Sequence, residues 1–382
     1  MAADQRFHHQ RYTSEPPGAP FDVIRASPQL PIQSEEFTAP LRAAGQGMHA
    51  AGVDAIYLVH GTFTGHDAWG IIRQIARFSP QATPWMERMA KNTVDFVMRD
   101  YGNYSQQYAN LFERAINGEG PTRIPVRLFH WTSENHHLGR ADCAVRLLDE
   151  LQRQYAGSTA RVLLWGHSHA GNAFALMTNL IGANAAMRSQ FFRAASPYFF
   201  RRGRPRDEVW GRVCKSLRRS DNPLAHLKID LVTFGAPIRY GWDTRVVGGL
   251  LHYVYHRQAK SLPEFRAKFP PTVDEVMRAA GGDYIHQLGI ANTNFPPSLL
   301  DWSSWSANRR LGRLLQSGIR PSDLYGHLRA GMRVAEQGET VLVDYGEPEK
   351  AIHRHAAGHA IYTQLEWLPF HAQDVCRRLY GR

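Results

Sequence analysis

Cysteine is scarce in this chain. Its 382 residues hold three, Cys143, Cys214 and Cys376, far apart and odd in number. No C-x-x-C spacing occurs, so neither a zinc or redox motif of that kind nor a disulfide framework is implied, and a reducing compartment fits. Long apolar runs are missing as well. No stretch of 18 apolar residues is present, which argues against a transmembrane helix. The opening MAADQRFHHQRYTSEPPGAP lacks the apolar segment of a secretory signal. The expectation is a soluble, cytoplasmic protein.

Lysine is nearly absent. Six of the 45 basic residues are Lys, which leaves 39 Arg, and against 34 acidic residues the formal net charge is +11. A basic surface attracts nucleic acid, anionic lipid or an acidic substrate. No zinc-finger, RNA-recognition or basic-zipper pattern is present, so nucleic acid is not an expected partner, whereas contact with an anionic membrane surface is compatible with the charge. The composition is otherwise that of a globular chain, 43% apolar and 21% charged.

Residues 1–50 are rich in Pro, Ala and polar groups without a sustained period, and read as an arm with little structure of its own. From residue 51 onward, apolar strands alternate with helical stretches. The strands are AIYLVHG (55–61), IPVRLFHW (124–131), RVLLWG (161–166), KIDLVTFGAP (228–237), LLHYVYH (250–256) and TVLVDYG (340–346). Between them, 66–78 and 139–155 have helical spacing, HAGNAFALMTNLIGA follows the third strand, and EWLPFHAQDVCRRLYG reads as the last helix. Such alternation predicts an α/β fold with a mostly parallel sheet covered on both faces. Insertions at about 183–226 and 258–335 interrupt the rhythm and read either as lid or binding elements or as extra packing layers.

The window Gly166-His167-Ser168-His169-Ala170 matches a nucleophile elbow, G-x-S-x-G, except that Ala stands at the last position. It follows a strand and opens a helix, which is the setting the elbow requires. Small residues at Gly166, Ala170 and Gly171 allow strand and helix to approach closely. Together, YLVHGTFTGHDAWG, VLLWGHSHAGN and LVTFGAPIRYG resemble the α/β-hydrolase superfamily and its lipase- or esterase-like serine hydrolases. The resemblance covers roughly 55–256 and the last 45 residues.

It implies an oxyanion hole made by the backbone N–H groups of Thr62 and His169, with His60 and Gly61 shaping the first turn. It also implies the chain order Ser, acid, His. Asp283 in GGDYIHQLGI is the first candidate for the acid, with Asp243 and Asp301 as competitors; Asp230 begins a strand and would lie at its wrong end. For the base, the loop EPEKAIHRHAAGHAIYT offers His359 first, then His355 and His353.

The implied activity is hydrolysis of a small-molecule or lipid ester through an acyl-enzyme on Ser168, with a Ser168–Asp283–His359 triad and no cofactor or metal. The aromatic and Arg-rich insertion at 183–226 suits an acyl chain with a polar or anionic head. Two other readings stay open at this point. One is a binding protein on an inactive hydrolase scaffold. The other is a metal-assisted hydrolase using His353, His355 and His359, although that loop lacks the carboxylate partner of the strongest zinc spacings. Glu134, His136 and His137 in HWTSENHHLGR either contact substrate or form a helix-capping loop.

Overall fold

The computed structural model describes residues 7–27, 29–32, 34–61, 104–118, 122–199, 207–219, 224–237, 239–290, 302–316, 319–348 and 355–381. Its centre is a seven-stranded sheet. The strands are β1 (Phe21–Arg25), β2 (Val53–Val59), β3 (Val126–Phe129), β4 (Arg161–His167), β5 (Lys228–Phe234), β6 (Gly249–Tyr255) and β7 (Glu339–Asp344). Every neighbouring pair is parallel, in the order β1-β7-β6-β5-β4-β2-β3.

The central strands are apolar almost end to end because both faces are covered. Along β4, Val162 and Leu164 point into one core while Leu163 and Trp165 point into the other, as the period of two demands. On the first face lie α3 (His137–Tyr155), α4 (Ala170–Gly182), α5 (Ala185–Phe199), α6 (Glu208–Ser216) and α9 (Trp302–Leu315). On the second lie α1 (Glu35–Ala50), α2 (Gln106–Asn117) and α11 (Leu368–Tyr380). Trp165 packs 4.7 Å from the Phe234 ring in the second core, and truncating such a residue to Ala costs about 3–5 kcal/mol. Helix starts are capped locally. The Ser34 hydroxyl accepts from Phe37 N–H, Ser105 from Tyr108 N–H, and the Asp207 carboxylate from Val209 and Trp210 N–H.

Two sequence expectations need correction. The first is the unstructured arm. Residues 21–25 form the edge strand β1 against β7, and 35–50 form a helix packed on α11. Even Phe7 is buried, stacked 5.6 Å from Phe191, and Gln10 N–H donates to the Arg239 carbonyl at 2.7 Å. This order comes from pairing with distant backbone, which leaves no local period to read. The second is the acyl-chain reading of insertion 183–226, whose described part takes the other form offered for it, an extra packing layer. Phe191, Phe192, Phe199 and Trp210 stack on one another inside the first core, so these rings are spent on the fold. The excursion after β6 carries α7 (Val273–Met277), α8 (Tyr284–Ile290) and α10 (Pro321–Ala330) besides α9.

The sheet order creates one crevice. From β2 the chain steps outward to β3, then returns to the far side of β2 as β4 and proceeds through β5, β6 and β7 in the opposite direction. The carboxyl ends of β2 and β4 therefore flank a topological switch point, where open α/β sheets bind ligands.

Candidate active site

Ser168 stands at that switch point, between the end of β4 and the start of α4. Its φ is +55°, a left-handed conformation that is uncommon and strained for a residue with a Cβ. Backbone bonds hold it there. Ser168 N–H donates to the Phe234 carbonyl of β5 at 2.8 Å, and its own carbonyl accepts from Gly171 N–H at 3.1 Å. His169 occupies the N-cap position of α4, next to helix N–H groups that have no intrahelical acceptor. Its imidazole is driven well below the usual histidine range, first by burial and then by the charges of Arg140 and Arg239.

Small residues at the motif's flanking positions let the elements meet. A Cβ on Gly166 would stand 2.5 Å from the Phe174 ring and 3.2 Å from the Ala170 Cβ. One on Gly171 would stand 2.5 Å from the Ala236 Cβ. From the neighbouring strand end, Gly61 lies against the serine itself, since a Cβ there would be 2.5 Å from the Ser168 Cβ and 3.2 Å from its Oγ. His60 is held beside it, its Nδ1 bonded to the Ser133 hydroxyl at 3.1 Å and its carbonyl accepting from Trp131 Nε1–H at 2.8 Å.

Asp283 and His359 meet although 76 residues separate them. The His359 Nδ1–H donates to Asp283 Oδ2 at 2.7 Å, and both side chains are buried. Asp283 lies 28 residues beyond β6 in sequence but directly beside it in space. Gly282 bridges to His256, and Asp283 N–H donates to the Tyr255 carbonyl at 2.9 Å, folding the excursion back onto the strand end. On the other side, the loop after β7 delivers His359 through Ala356, Ala357 and Gly358, three consecutive residues with positive φ. The His359 ring then lies 4.7 Å from that of His167, whose Nε2–H donates to the His359 carbonyl at 3.1 Å.

The Asp283 carboxylate is satisfied on both oxygens. Oδ1 caps α8 by accepting from His286 N–H at 2.8 Å, and Oδ2 accepts from the Tyr362 hydroxyl at 3.0 Å as well as from His359. Burial alone would raise this acid, but the His359 imidazole and the His286 N–H outweigh it and hold the carboxyl at about 2. An ionised carboxylate can only accept, so the ring nitrogen that faces it, His359 Nδ1, carries a proton. Behind the acid, the buried Arg333 guanidinium donates to the Asp283 carbonyl.

The remaining candidates fall elsewhere. Asp243 caps the turn Thr244–Val246, pairs with Arg245 at 2.7 Å and abuts Gly182, so it belongs to the far end of α4, about 20 Å from Ser168 at 1.5 Å per residue. Asp230 lies at the opening of β5, bonded to Arg161 and Tyr380. His355 shapes its own turn, its Nδ1 accepting from Gly358 N–H at 3.2 Å. His136 caps α3 by accepting from Gly139 N–H, Glu134 lies 3.6 Å from it, and His137 Nδ1 pairs with the Tyr240 hydroxyl at 2.8 Å. Thr62, Asp301, His353 and the helical stretch 66–78 lie outside the described residues. Among the described residues no group of three or more His, Cys, Asp or Glu side chains is placed to hold a metal ion. No described helix is long and apolar enough to cross a membrane.

Sequence reasoning missed Tyr362, His286, His167 and Arg333. Only His286 had a local signal, because an Asp three residues ahead of it, at a helix start, is an N-cap arrangement. The others reach the site through tertiary contact alone. Comparison with known proteins returns no relative: no family model matches this chain, and neither a curated protein nor a solved structure does.

Proposed function

We propose that this chain is a serine hydrolase of the α/β-hydrolase type that cleaves a carboxylic ester. The observation that carries the reading is the buried Asp283–His359 pair on strand ends that also present Ser168 in a left-handed turn. Support comes from three further features. The residues follow the order Ser, Asp, His along the chain, all beyond carboxyl ends of parallel strands. The acid is ionised and accepts the His359 Nδ1–H, which leaves Nε2 for the role of base. A helix N-terminus begins at the residue after the serine, where its dipole favours negative charge.

In this mechanism His359 Nε2 takes the Ser168 proton as Oγ bonds to the acyl carbon. Asp283 stabilises the imidazolium that results. His169 N–H donates to the developing oxyanion, and a donor of this kind contributes roughly 3–4 kcal/mol. The imidazolium then returns its proton to the leaving alkoxide as the ester C–O bond breaks. Water repeats the sequence on the acyl-enzyme: His359 takes a proton from it, the acid is released, and Ser168 Oγ regains its proton.

The test is labelling with a fluorophosphonate and mapping of the modified peptide. Modification at Ser168 that disappears in Ser168→Ala and falls strongly in His359→Ala is the expected result. Absence of labelling in folded protein would overturn the reading.

A further inference from the structure

The outer side of α9 carries two tryptophans where a solvent face is expected. Trp302 opens this helix with 74% of its surface exposed, more than any other large apolar side chain among the described residues. Its ring stacks on that of Trp305 at 4.9 Å, and the Arg309 guanidinium lies over the Trp305 ring at 5.5 Å. Arg309, Arg310 and Arg313 are exposed as well. At about 3.6 residues per turn, these five positions fall within roughly 140° of one another round the helix. Ser304, Ala307, Leu311 and Leu315 are buried on the opposite side, where α9 packs against α3 and α5. The helix thus already has an apolar stripe in the core, and the tryptophans stand outside it. The platform is fixed: Asn308 Oδ1 accepts from Leu138 N–H at 3.1 Å, and Gly312 lies against the His137 ring of α3.

The charge of this face is of one sign. Between Asp301 and Asp323 the sequence has four Arg and no acidic residue. The neighbouring α5 contains Arg188 and Arg193 and no acidic residue either. Such a surface complements an anionic one, and each Arg near an anionic lipid layer strengthens binding about fivefold. Tryptophan suits the same depth, because its ring is apolar while its N–H still finds a polar partner among the headgroups. A peptide helix or strand binds by laying its side chains into a groove or along a sheet edge. The outer side of one helix, with rings at one end and guanidinium groups along the rest, fits a deformable lipid surface instead.

We propose that the outer face of α9 is a membrane-contact site, on which Trp302 and Trp305 enter the headgroup layer of an anionic bilayer and Arg309, Arg310 and Arg313 pair with its phosphates. The inference does not rest on the serine-hydrolase reading, since the contact asks nothing of Ser168.

The experiment is co-sedimentation of the full chain with vesicles at physiological ionic strength. One set is phosphatidylcholine alone; the other is equal parts phosphatidylcholine and phosphatidylglycerol. Binding to the mixed vesicles is expected to be about tenfold or more tighter than to the neutral ones. Arg310→Gln combined with Arg313→Gln should weaken it about tenfold or more, and Trp302→Ala about fivefold or more. All three positions are exposed, so these variants should fold. Arg114→Gln combined with Arg123→Gln removes two exposed charges outside α9 and should change binding less than the α9 pair does. No binding to the mixed vesicles would overturn the proposal. So would binding that Trp302→Ala leaves intact and that the two Arg pairs weaken equally, because the net charge would then account for it. A chain that ignores the vesicles but binds poly-glutamate or a single-stranded oligonucleotide through these residues, or dimerises through Trp302, would also rule out lipid as the occupant. Loss of vesicle binding with fluorophosphonate labelling intact would sink this inference and keep the hydrolase; the converse result would do the reverse.

Discussion

Gly358 approaches Gly282 so closely that a Cβ on it would stand 2.5 Å from the Gly282 carbonyl oxygen and 3.1 Å from the Asp283 Cα. The contact is backbone to backbone, so no side chain can swing aside to relieve it. Gly358 also has a φ of +93°, which an L side chain rarely adopts. Its bareness is what lets the loops after β6 and β7 bring Asp283 and His359 together. Gly358→Ala is therefore expected to destabilise the fold by roughly 1–3 kcal/mol through backbone strain, and by more if the loops separate. Thermal unfolding should show a fall of several degrees. The fluorophosphonate labelling rate should fall with it even at temperatures where the variant is fully folded.

Asp283→Asn keeps the shape of the acid and removes its charge. An amide can offer N–H as well as C=O toward His359, so the Nδ1 proton is no longer enforced and Nε2 ceases to be a dependable base. A loss of roughly 10³–10⁴-fold in kcat is expected, with KM little changed. Tyr362→Phe removes one neutral donor from the same carboxylate and the acceptor of the buried Tyr255 N–H, so it should cost stability, roughly 2–4 kcal/mol, while lowering kcat far less than Asp283→Asn. Steady-state kinetics on one ester compares the two, and equal losses would mean that Asp283 serves packing more than catalysis.

Ser168 is held in a conformation that favours glycine. Replacing it with Gly should stabilise the chain or leave it unchanged, within about 1 kcal/mol, because the left-handed penalty is relieved while unfolded-state entropy rises. Ser168→Ala keeps the Cβ and the strain, so it should melt close to wild type and below Ser168→Gly. Urea midpoints of the three proteins measure the difference. A Gly variant clearly less stable than the Ala variant would show that the turn is not strained at this residue.

The surroundings of Ser168 are legible from local pattern, since the strand before it and the helix after it are continuous apolar and helical runs. Asp283 and His359 stand out only through the resemblance and its chain order, and the contact between them is a tertiary one. What could not be read was how a 28-residue excursion closes. The Gly282–His256 bridge and the Tyr255 carbonyl that accepts from Asp283 N–H are contacts with no sequence period. The arm failed for the same reason. Phe7, Gln10 and strand β1 acquire order only from Phe191, Arg239 and β7, which lie far along the chain. The insertion at 183–226 misled differently, since aromatics flanked by Arg describe a packed helical layer as well as a binding surface.

Stability should fall early and steeply on acidification, well before the carboxylates protonate. His9, His256, His286 and His371 are held at about 3 and His252 at about 4, in each case mainly by burial. Their unfolded values lie near 6.5, so below that pH the unfolded chain binds protons that the folded chain refuses. The unfolded state is thereby favoured as pH falls, by about 1.4 kcal/mol per residue for each unit below 6.5. Five such residues amount to roughly 7 kcal/mol at pH 5.5, comparable with the whole stability of an ordinary domain. Asp283 acts in a lower window. Its depressed acidity stabilises the fold above about pH 4 and is lost only toward pH 2, by which point the histidines have already decided the outcome. Urea unfolding at intervals from pH 8 to pH 5 should show a plateau at the alkaline end and a sharp decline below 6.5, with unfolding near pH 5. A stability profile flat to pH 4 would mean that these imidazoles gain protons without leaving the core.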